Sequence, residues 1–424
     1  MFNKLQNLVY RLLRKSEQYT HTDMIYLAKG GFWLTLGQFI ASGASFLLAI
    51  AFANLLPKEA YGNYRYILSL LGILSIFTLS GINTAVIQAV ARGLEGSFWP
   101  SFASKLKWSI LAALGSIGIA IYYYINDNLL LTTSFVMIAI LLPLLRSSAL
   151  YISVLNGRKD FRLSTIYSSY VRILATASMI AVLFFTDNIF VLLAAFFVPE
   201  TILNFIFTWV YIKKHPLNKE KDNQTVAYGI NLSAMDVIKA IAGQVDKILI
   251  YHYLGAAQLA VWAFTTAPVS QIKSVLMNVK SLALPKLSQT EDKDIQTHFL
   301  NKLKKVELVV LLIIVFYALL APFLYKIFFP QYLESIKYSQ VYVLTLLFFP
   351  RTFLSTVMVA KKKIKELYNI RIISPILKII IIFFALKYFS LWGIVIGMII
   401  SEASLFFLYQ LNYKKAFRSD ENRP

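Results

Sequence analysis

The sequence predicts an all-α integral membrane protein: about twelve transmembrane helices in two six-helix lobes, related by a pseudo-two-fold axis along the membrane normal. Three observations carry that expectation. Of the 424 residues, 58% are hydrophobic and only 15% charged, with a mean hydropathy of +0.63. A soluble globular chain is roughly 45–50% apolar and about 25% charged. Twelve apolar runs can be drawn, each close to the ~20 residues that a helix needs to cross a ~30 Å hydrocarbon core. Finally, the basic residues collect in alternate connections between those runs.

The runs lie at 31–54, 64–90, 107–125, 129–156, 162–186, 188–212, 226–254, 258–284, 303–325, 336–360, 366–387 and 390–412. Ahead of them, Phe2, Leu5, Leu8, Val9, Leu12 and Leu13 recur at helical spacing among Lys4, Arg11, Arg14 and Lys15. Residues 1–30 therefore read as a basic amphipathic segment on the cytoplasmic membrane surface, with a disordered basic tail as the alternative. The run from Gly31 to Leu56 is too long for a signal-peptide core, and no small-residue cleavage site follows it. The expected division is an N-terminal lobe at 31–212, a cytoplasmic linker at 213–225, a C-terminal lobe at 226–413 and a cytoplasmic tail at 414–424. The longest connection, around 285–302, is short and polar, too small for a domain of about 50 residues. Catalysis by an inserted soluble domain is thereby disfavoured.

Orientation follows from lysine and arginine placement. One set of connections holds 29 basic residues and the alternate set only five, Lys58, Arg65, Lys326, Lys337 and Lys387. This bias predicts both termini in the cytoplasm and accounts for most of the net charge of +21 without nucleic acid. With no cysteine and four scattered histidines, the chain offers no disulfide framework or thiolate chemistry, and no metal site or cofactor is expected.

Eight basic residues remain inside spans: Arg146, Arg172, Lys239, Lys247, Lys273, Lys280, Arg351 and Lys378. Four acidic ones, Glu200, Asp236, Asp246 and Glu402, lie well inside spans too. Each costs about 2.5–3.5 kcal/mol at mid-helix on insertion scales, so they are expected to face an interior or water-filled cavity. Their positions recur between halves. Arg146 matches Arg351, Arg172 matches Lys378, and Glu200 matches Glu402, at offsets near the 198 that separates Leu56–Tyr64 from Leu254–Trp262. Asp236, Lys239, Gly243 and Lys247 are spaced to share one helix face. A structural reading stands beside each: Asp236 and Lys239 could pair at i, i+3, Lys280 could snorkel, and the arginines could bind carbonyls freed by Pro143 and Pro350. Eight cations against four anions nevertheless leave charge in need of a partner, most simply an anionic substrate. Pro143, Pro199, Pro268, Pro350 and Pro375 lie inside spans and permit kinks.

Several stretches resemble Wzx-type polysaccharide and O-antigen flippases of the multidrug/oligosaccharidyl-lipid/polysaccharide superfamily. They are Leu55–Tyr64, Ser80–Asn83, Asn156–Phe161, Asp246–Gly255 and Leu284–Ser288. The resemblance covers essentially the whole chain. It implies a cell-membrane flippase, not an enzyme, that moves polyprenyl-pyrophosphate-linked oligosaccharide from the cytoplasmic to the outer leaflet by alternating access, for cell-surface polysaccharide. It also implies a proton or sodium coupling ion, contact with membrane lipids and polysaccharide-assembly proteins as partners. Because arginine binds phosphate oxygens bidentately and lysine acts as a point charge, the expected pyrophosphate residues are Arg146, Arg172, Arg351 and Lys378, assisted by Lys239, Lys247 and Lys273. Glu200, Glu402, Asp236 and Asp246 are the ion-coupling candidates.

Three other functions stay open, the third being a scaffold with no substrate, for which a repeated set of intramembrane charges has no use. An ion-coupled multidrug-type exporter of organic cations would favour an anionic or aromatic cavity, which the excess of cations disfavours. A polysaccharide polymerase or ligase would be expected to carry a sizeable outward loop with catalytic groups, and every outward loop here is short.

Overall fold

A computed structural model describes residues 24–289, 292–361 and 364–421. Nearly all of these are helical, and no strand occurs among them. The basic amphipathic pattern at 1–23 lies outside the described residues.

In chain order the helices are α1 (Met24–Leu55), α2 (Lys58–Leu74), α3 (Gly81–Ala91), α4 (Phe98–Ile125), α5 (Leu129–Ser148), α6 (Tyr151–Gly157), α7 (Phe161–Leu183) and α8 (Ile189–Lys214). There follow α9 (Thr225–Met235), α10 (Val237–Ala242), α11 (Val245–Leu254), α12 (Ala256–Gln289), α13 (Asp292–Phe328), α14 (Ser335–Tyr342), α15 (Thr352–Ala360) and α16 (Ile364–Glu421). Among the described residues, eight helical stretches are long and apolar enough to cross a membrane. A ninth is formed if Lys58–Thr78 and Gly81–Ala91, bent by 46°, count as one span.

The expected runs map onto this series with instructive departures. The last two lie within α16, where Phe389 and Ser390 leave helical geometry and Ser390 has φ 50°. A Cβ placed on Gly393 would fall 1.9 Å from the Ala385 carbonyl oxygen, and one on Gly397 would meet the Ala385 Cβ at 3.1 Å. The chain therefore doubles back on itself, and only glycine allows that approach. The expected seventh span, 226–254, is broken into α9, α10 and α11. Asp236 and Gly243–Gln244 interrupt it, so the single charged face read from Asp236, Lys239, Gly243 and Lys247 is not continuous. The expected tenth span contains a nine-residue 3₁₀ segment, Val343–Arg351, carrying Pro350; proline's missing N–H removes one α-helical bond there. The polar stretch expected as the longest loop is largely taken up by the ends of α12 and α13.

Sequence-local signals set several helix starts. Asn128 Oδ1 accepts from Leu131 N at 3.1 Å, Asp160 Oδ1 from Leu163 N at 3.2 Å, and Asn188 Oδ1 from Phe190 N at 3.0 Å. Each side chain satisfies a backbone donor that the first helical turn leaves open.

The chain groups into two compact units. One comprises residues up to Ala49 with Leu74–Met235, and the other Ile50–Ile73 with the chain from Asp236 onward. The partition falls inside α1, at the last residue of α2 and between α9 and α10, and the 213–225 segment belongs to the first unit. That segment is tied down within the first unit. Arg158 grips Glu95 through Nε–Oε1 at 2.6 Å and Nη2–Oε2 at 2.7 Å, and also donates to Tyr211 Oη and the Pro216 carbonyl. Glu95 Oε2 in turn accepts from Asn218 N at 3.1 Å, and Arg92 pairs with Asp222 at 2.7 Å. In the same unit α3 and α9 approach through Gly81 and Gly229: a Cβ on Gly81 would lie 2.5 Å from the Gly229 carbonyl oxygen. The Gly81 N–H donates to Ser233 Oγ at 2.9 Å. Around them Leu79, Ile82, Val86, Phe98, Tyr151 and Val154 form a buried core.

The second unit is built on aromatic packing. Tyr61, Phe264 and Tyr332 meet at ring-centroid distances of 5.0 Å and 3.9 Å. The Tyr325 hydroxyl donates to the Phe264 carbonyl at 2.7 Å. Ser335 and Ser339 hydroxyls on α14 donate to the Val261 and Thr265 carbonyls of α12 at 3.0 Å and 2.9 Å. Such small hydroxyl-bearing residues let membrane helices approach closely.

Candidate functional site

In the first unit, three of the expected site residues converge. Arg146 ends α5 one turn after Pro143, Arg172 lies midway along α7, and Glu200 follows Pro199 in α8. Glu200 interacts electrostatically with both arginines, and the arginines with each other. Arg172 and Glu200 line a cavity of about 220 Å³ together with Ser168, Ser169 and Asn204 on one side and Phe196 on the apolar side. The Arg172 guanidinium lies 5.9 Å from the Phe196 ring centroid, within cation–π range. Helix α7 is held in place by Thr165, whose hydroxyl donates to the Trp33 carbonyl of α1 at 2.9 Å. Helix α8 is anchored by Thr208, whose hydroxyl donates to the Ser148 carbonyl at the end of α5 at 2.8 Å.

The charges of this cluster are near one another but not closed into ion pairs. None of the described pairs within 4.0 Å joins Glu200 to Arg146 or Arg172. Both arginines are exposed and Glu200 is half-buried; Arg146 Nη2 reaches Ser75 Oγ at 3.5 Å, which leaves the other guanidinium donors without a charged acceptor among the described residues. Ser169 Oγ on the cavity wall is buried without a hydrogen-bond partner. A polyanion with several oxygens can satisfy donors of this kind at once, and guanidinium presents them in a planar fork.

A fourth cation joins the cluster from a position that the sequence placed in a loop. Lys105 is 3% exposed, and its Nζ donates to Asn83 Oδ1 at 2.6 Å. It also interacts electrostatically with Arg146. Helix α4 begins at Phe98, some nine residues ahead of the expected run, which carries Lys105 inside. The signal was present in Phe98-Trp99-Pro100: proline is tolerated in a first helical turn and the aromatics extend the apolar face. A larger cavity of about 510 Å³ lies elsewhere in this unit, beside Arg92 and Asp222; its arginine is already paired with that aspartate.

The second unit treats its expected site residues differently. Arg351 pairs with Glu307 at 3.0 Å and lies 5.0 Å from the Phe406 ring centroid. Lys273 pairs with Glu402 at 2.7 Å. Asp246 is buried, with Oδ2 accepting from the Trp262 indole N–H at 2.8 Å. Lys247 Nζ donates to Gln244 Oε1 at 2.7 Å, and Lys378 lies within electrostatic range of it. Asp236 and Lys239 are both exposed and form no ion pair within 4.0 Å, despite their i, i+3 spacing. The side chain of Lys280 lies outside the described residues.

The expected equivalence of Arg146 with Arg351 and Glu200 with Glu402 therefore does not extend to their surroundings. Arg351 and Glu402 each have an ion-pair partner of their own. The physical reason is compositional: α4 contains no acidic residue to play the part of Glu307, and α3 contains no lysine to play the part of Lys273. Among the described residues no group of three metal-ligating side chains occurs.

The description "Polysaccharide biosynthesis protein" belongs to a family model that matches residues 27–291. An uncharacterised membrane protein of Methanocaldococcus jannaschii is 22% identical over 349 residues, 74% of this chain and 67% of that protein. In three dimensions the chain is similar to the lipid II flippase MurJ in an inward closed conformation, with a TM-score of 0.64, 16% identity, and 90% and 87% of the two chains covered. It is also similar to a MATE transporter in complex with MaD5, with a TM-score of 0.61, 12% identity, and 92% and 97% covered. A further similarity is to an inward-facing multidrug resistance MATE family transporter of the MOP superfamily, with a TM-score of 0.60, 12% identity, and 92% and 99% covered. The chain thus shares the fold of these transporters, and it belongs to the polysaccharide biosynthesis protein family.

Proposed function

We propose that this protein is a flippase that moves polyprenyl-pyrophosphate-linked oligosaccharide across the cell membrane, from the cytoplasmic to the outer leaflet, by alternating access. The observation that carries the reading is the first-unit cluster: Arg146 and Arg172, exposed and without an ion pair within 4.0 Å among the described residues, in electrostatic range of a half-buried Glu200, with Lys105 in range of Arg146. Three cations against one carboxylate favour an anionic ligand over an organic cation. The diphosphate of a lipid carrier has the oxygens to engage both guanidinium forks, while Ser168, Ser169 and Asn204 supply hydroxyl and amide groups for phosphate or sugar. Membership of a polysaccharide biosynthesis family and the fold shared with a lipid II flippase support the same reading. Glu200 is the coupling residue in this scheme. Its carboxylate competes with the substrate phosphates for the two arginines, so a bound proton or sodium ion on Glu200 releases them for substrate. The excess of lysine and arginine in alternate connections supports a topology with both termini in the cytoplasm.

The test is transport in liposomes holding the purified protein and a fluorescent polyprenyl-pyrophosphate oligosaccharide, read as inner-leaflet headgroups becoming accessible to an impermeant quencher. Rapid loss of protection, absent in empty liposomes, is the expected result. No loss beyond empty liposomes under an imposed proton or sodium gradient, together with transport of small organic cations, would replace this reading by the multidrug-type exporter, whose fold the chain also shares.

A further inference from the structure

The second unit holds a set of cations that neither its ion pairs nor the first-unit cavity accounts for. Arg65 on α2, Lys247 on α11 and Lys378 on α16 come from three helices distant in sequence. Lys247 interacts electrostatically with both of the others. All three side chains are half-buried, and none forms an ion pair within 4.0 Å among the described residues. The Nε of Arg65 is buried with no acceptor. Lys247 reaches only neutral oxygens, Gln244 Oε1 at 2.7 Å and the Gly243 carbonyl at 3.4 Å. The carboxylate in electrostatic range of Lys247 is Asp246, whose Oδ2 is already engaged by the Trp262 indole. Asp246 forms no ion pair within 4.0 Å with Lys247 among the described residues.

Such a cluster is costly by itself. Each charge loses hydration, and Lys247 is repelled by both Arg65 and Lys378 in a medium that screens poorly. An unsatisfied buried guanidinium nitrogen adds to the cost. A compact anion carrying more than one negative charge relieves all three terms, with arginine supplying a directional donor and the lysines point charges.

We propose that Arg65, Lys247 and Lys378 form a second anion-binding site, contained within the second unit, that takes a phosphoryl group. Arg65 is its directional ligand, a residue that the sequence placed in an outward connection. The site's existence stands on the three side chains; that its ligand is the pyrophosphate of a lipid-linked substrate rests on the flippase reading.

The test is calorimetric titration of the full chain in lipid nanodiscs with inorganic pyrophosphate and with farnesyl pyrophosphate, in an Arg172→Gln background that weakens the first-unit site. The expected result is residual binding that Arg65→Gln weakens by about 10–100-fold, the loss of one charge-assisted hydrogen bond, and that Arg65→Lys largely keeps. Should Arg65→Gln fail to fold, Lys378→Gln is read the same way. Affinity for both ligands assigns the site to phosphoryl groups in general, and affinity for farnesyl pyrophosphate alone to a lipid headgroup. Unchanged binding in a monodisperse Arg65→Gln or Lys378→Gln protein overturns the site. Retained, Arg65-dependent binding without oligosaccharide flipping in liposomes keeps the site and removes the flippase reading; flipping with Arg65-independent binding does the reverse.

Discussion

Arg158 and Glu95 meet through two parallel contacts of 2.6 Å and 2.7 Å, and this pair fastens the 213–225 segment to the first unit through Asn218 and Pro216. The hydrogen bonds that Arg158 donates to Glu95 hold its guanidinium above the ordinary arginine range, so it stays charged at any working pH. Glu95→Gln keeps the shape and removes the charge. It should lower stability by about 1–3 kcal/mol, seen as an earlier thermal unfolding transition, and expose Lys213–Lys221 to trypsin.

Asp222 gives the same segment a pH dependence. Its carboxyl is held below the usual aspartate range, first by the Gln224 backbone N–H and then by Arg92. A depressed folded-state value means that its contribution is complete above the unfolded pKa of about 3.9 and is lost as pH falls through the lowered value. Asp222→Asn should flatten the acid limb of a thermal-stability profile below about pH 4 and leave the neutral region little changed. A variant whose acid limb matches the parent's would remove Asp222 from this role.

The two units should answer differently to loss of an intramembrane cation. Arg172→Gln removes an exposed, unpaired guanidinium and is expected to cut the initial flipping rate by about 10–100-fold with normal folded yield. Arg351→Gln and Lys273→Gln instead strand Glu307 and Glu402. Leaving a buried charge without its partner destabilises by about 3–5 kcal/mol, and less where water reaches it. Their main effect should be on folded yield by fluorescence-detected gel filtration.

Trp262 is the donor that Asp246 depends on: the indole satisfies Oδ2, while Oδ1 is buried without a partner. Trp262→Phe keeps most of the packing and deletes the donor. The expected loss is about 1–3 kcal/mol, and adding Asp246→Asn should recover part of it by removing the stranded charge. Thermal inactivation of the single and double variants measures both.

Gly81 tests the packing of α3 on α9. Any Cβ there would sit 2.5 Å from the Gly229 carbonyl oxygen, so Gly81→Ala must push backbone away from backbone. An overpacking penalty of at least 1–3 kcal/mol is expected, read as reduced folded yield, whereas Gly31→Ala, with open space around it, should match the parent.

What the sequence determined by itself is the class of solvent, the placement of the helical runs and several of their starts. Those properties are local: apolar length decides whether a segment prefers lipid, and Asn128, Asp160 and Asn188 each cap the helix that immediately follows. The presence of Arg146, Arg172 and Glu200 in adjoining helices was legible for the same reason, since a charge inside an apolar run must find an interior. Which charges answer one another was decided only by tertiary structure. Asp236 and Lys239 share a spacing but not an ion pair, because the helix breaks at Asp236, where spacing arguments lose their geometry. Arg351 and Glu402 occupy places in the second half like those of Arg146 and Glu200, yet each finds a partner, Glu307 and Lys273, for which α4 and α3 of the first half carry no counterpart. Lys105 was assigned to a connection because span limits were drawn from hydropathy, and a charged residue shortens a hydropathic run even where the helix continues through it; Arg65, at the edge of its run, was counted with the connection although the helix begins at Lys58. An ion's neighbours depend on how helices pack, and packing distance is not written in the period of any one of them.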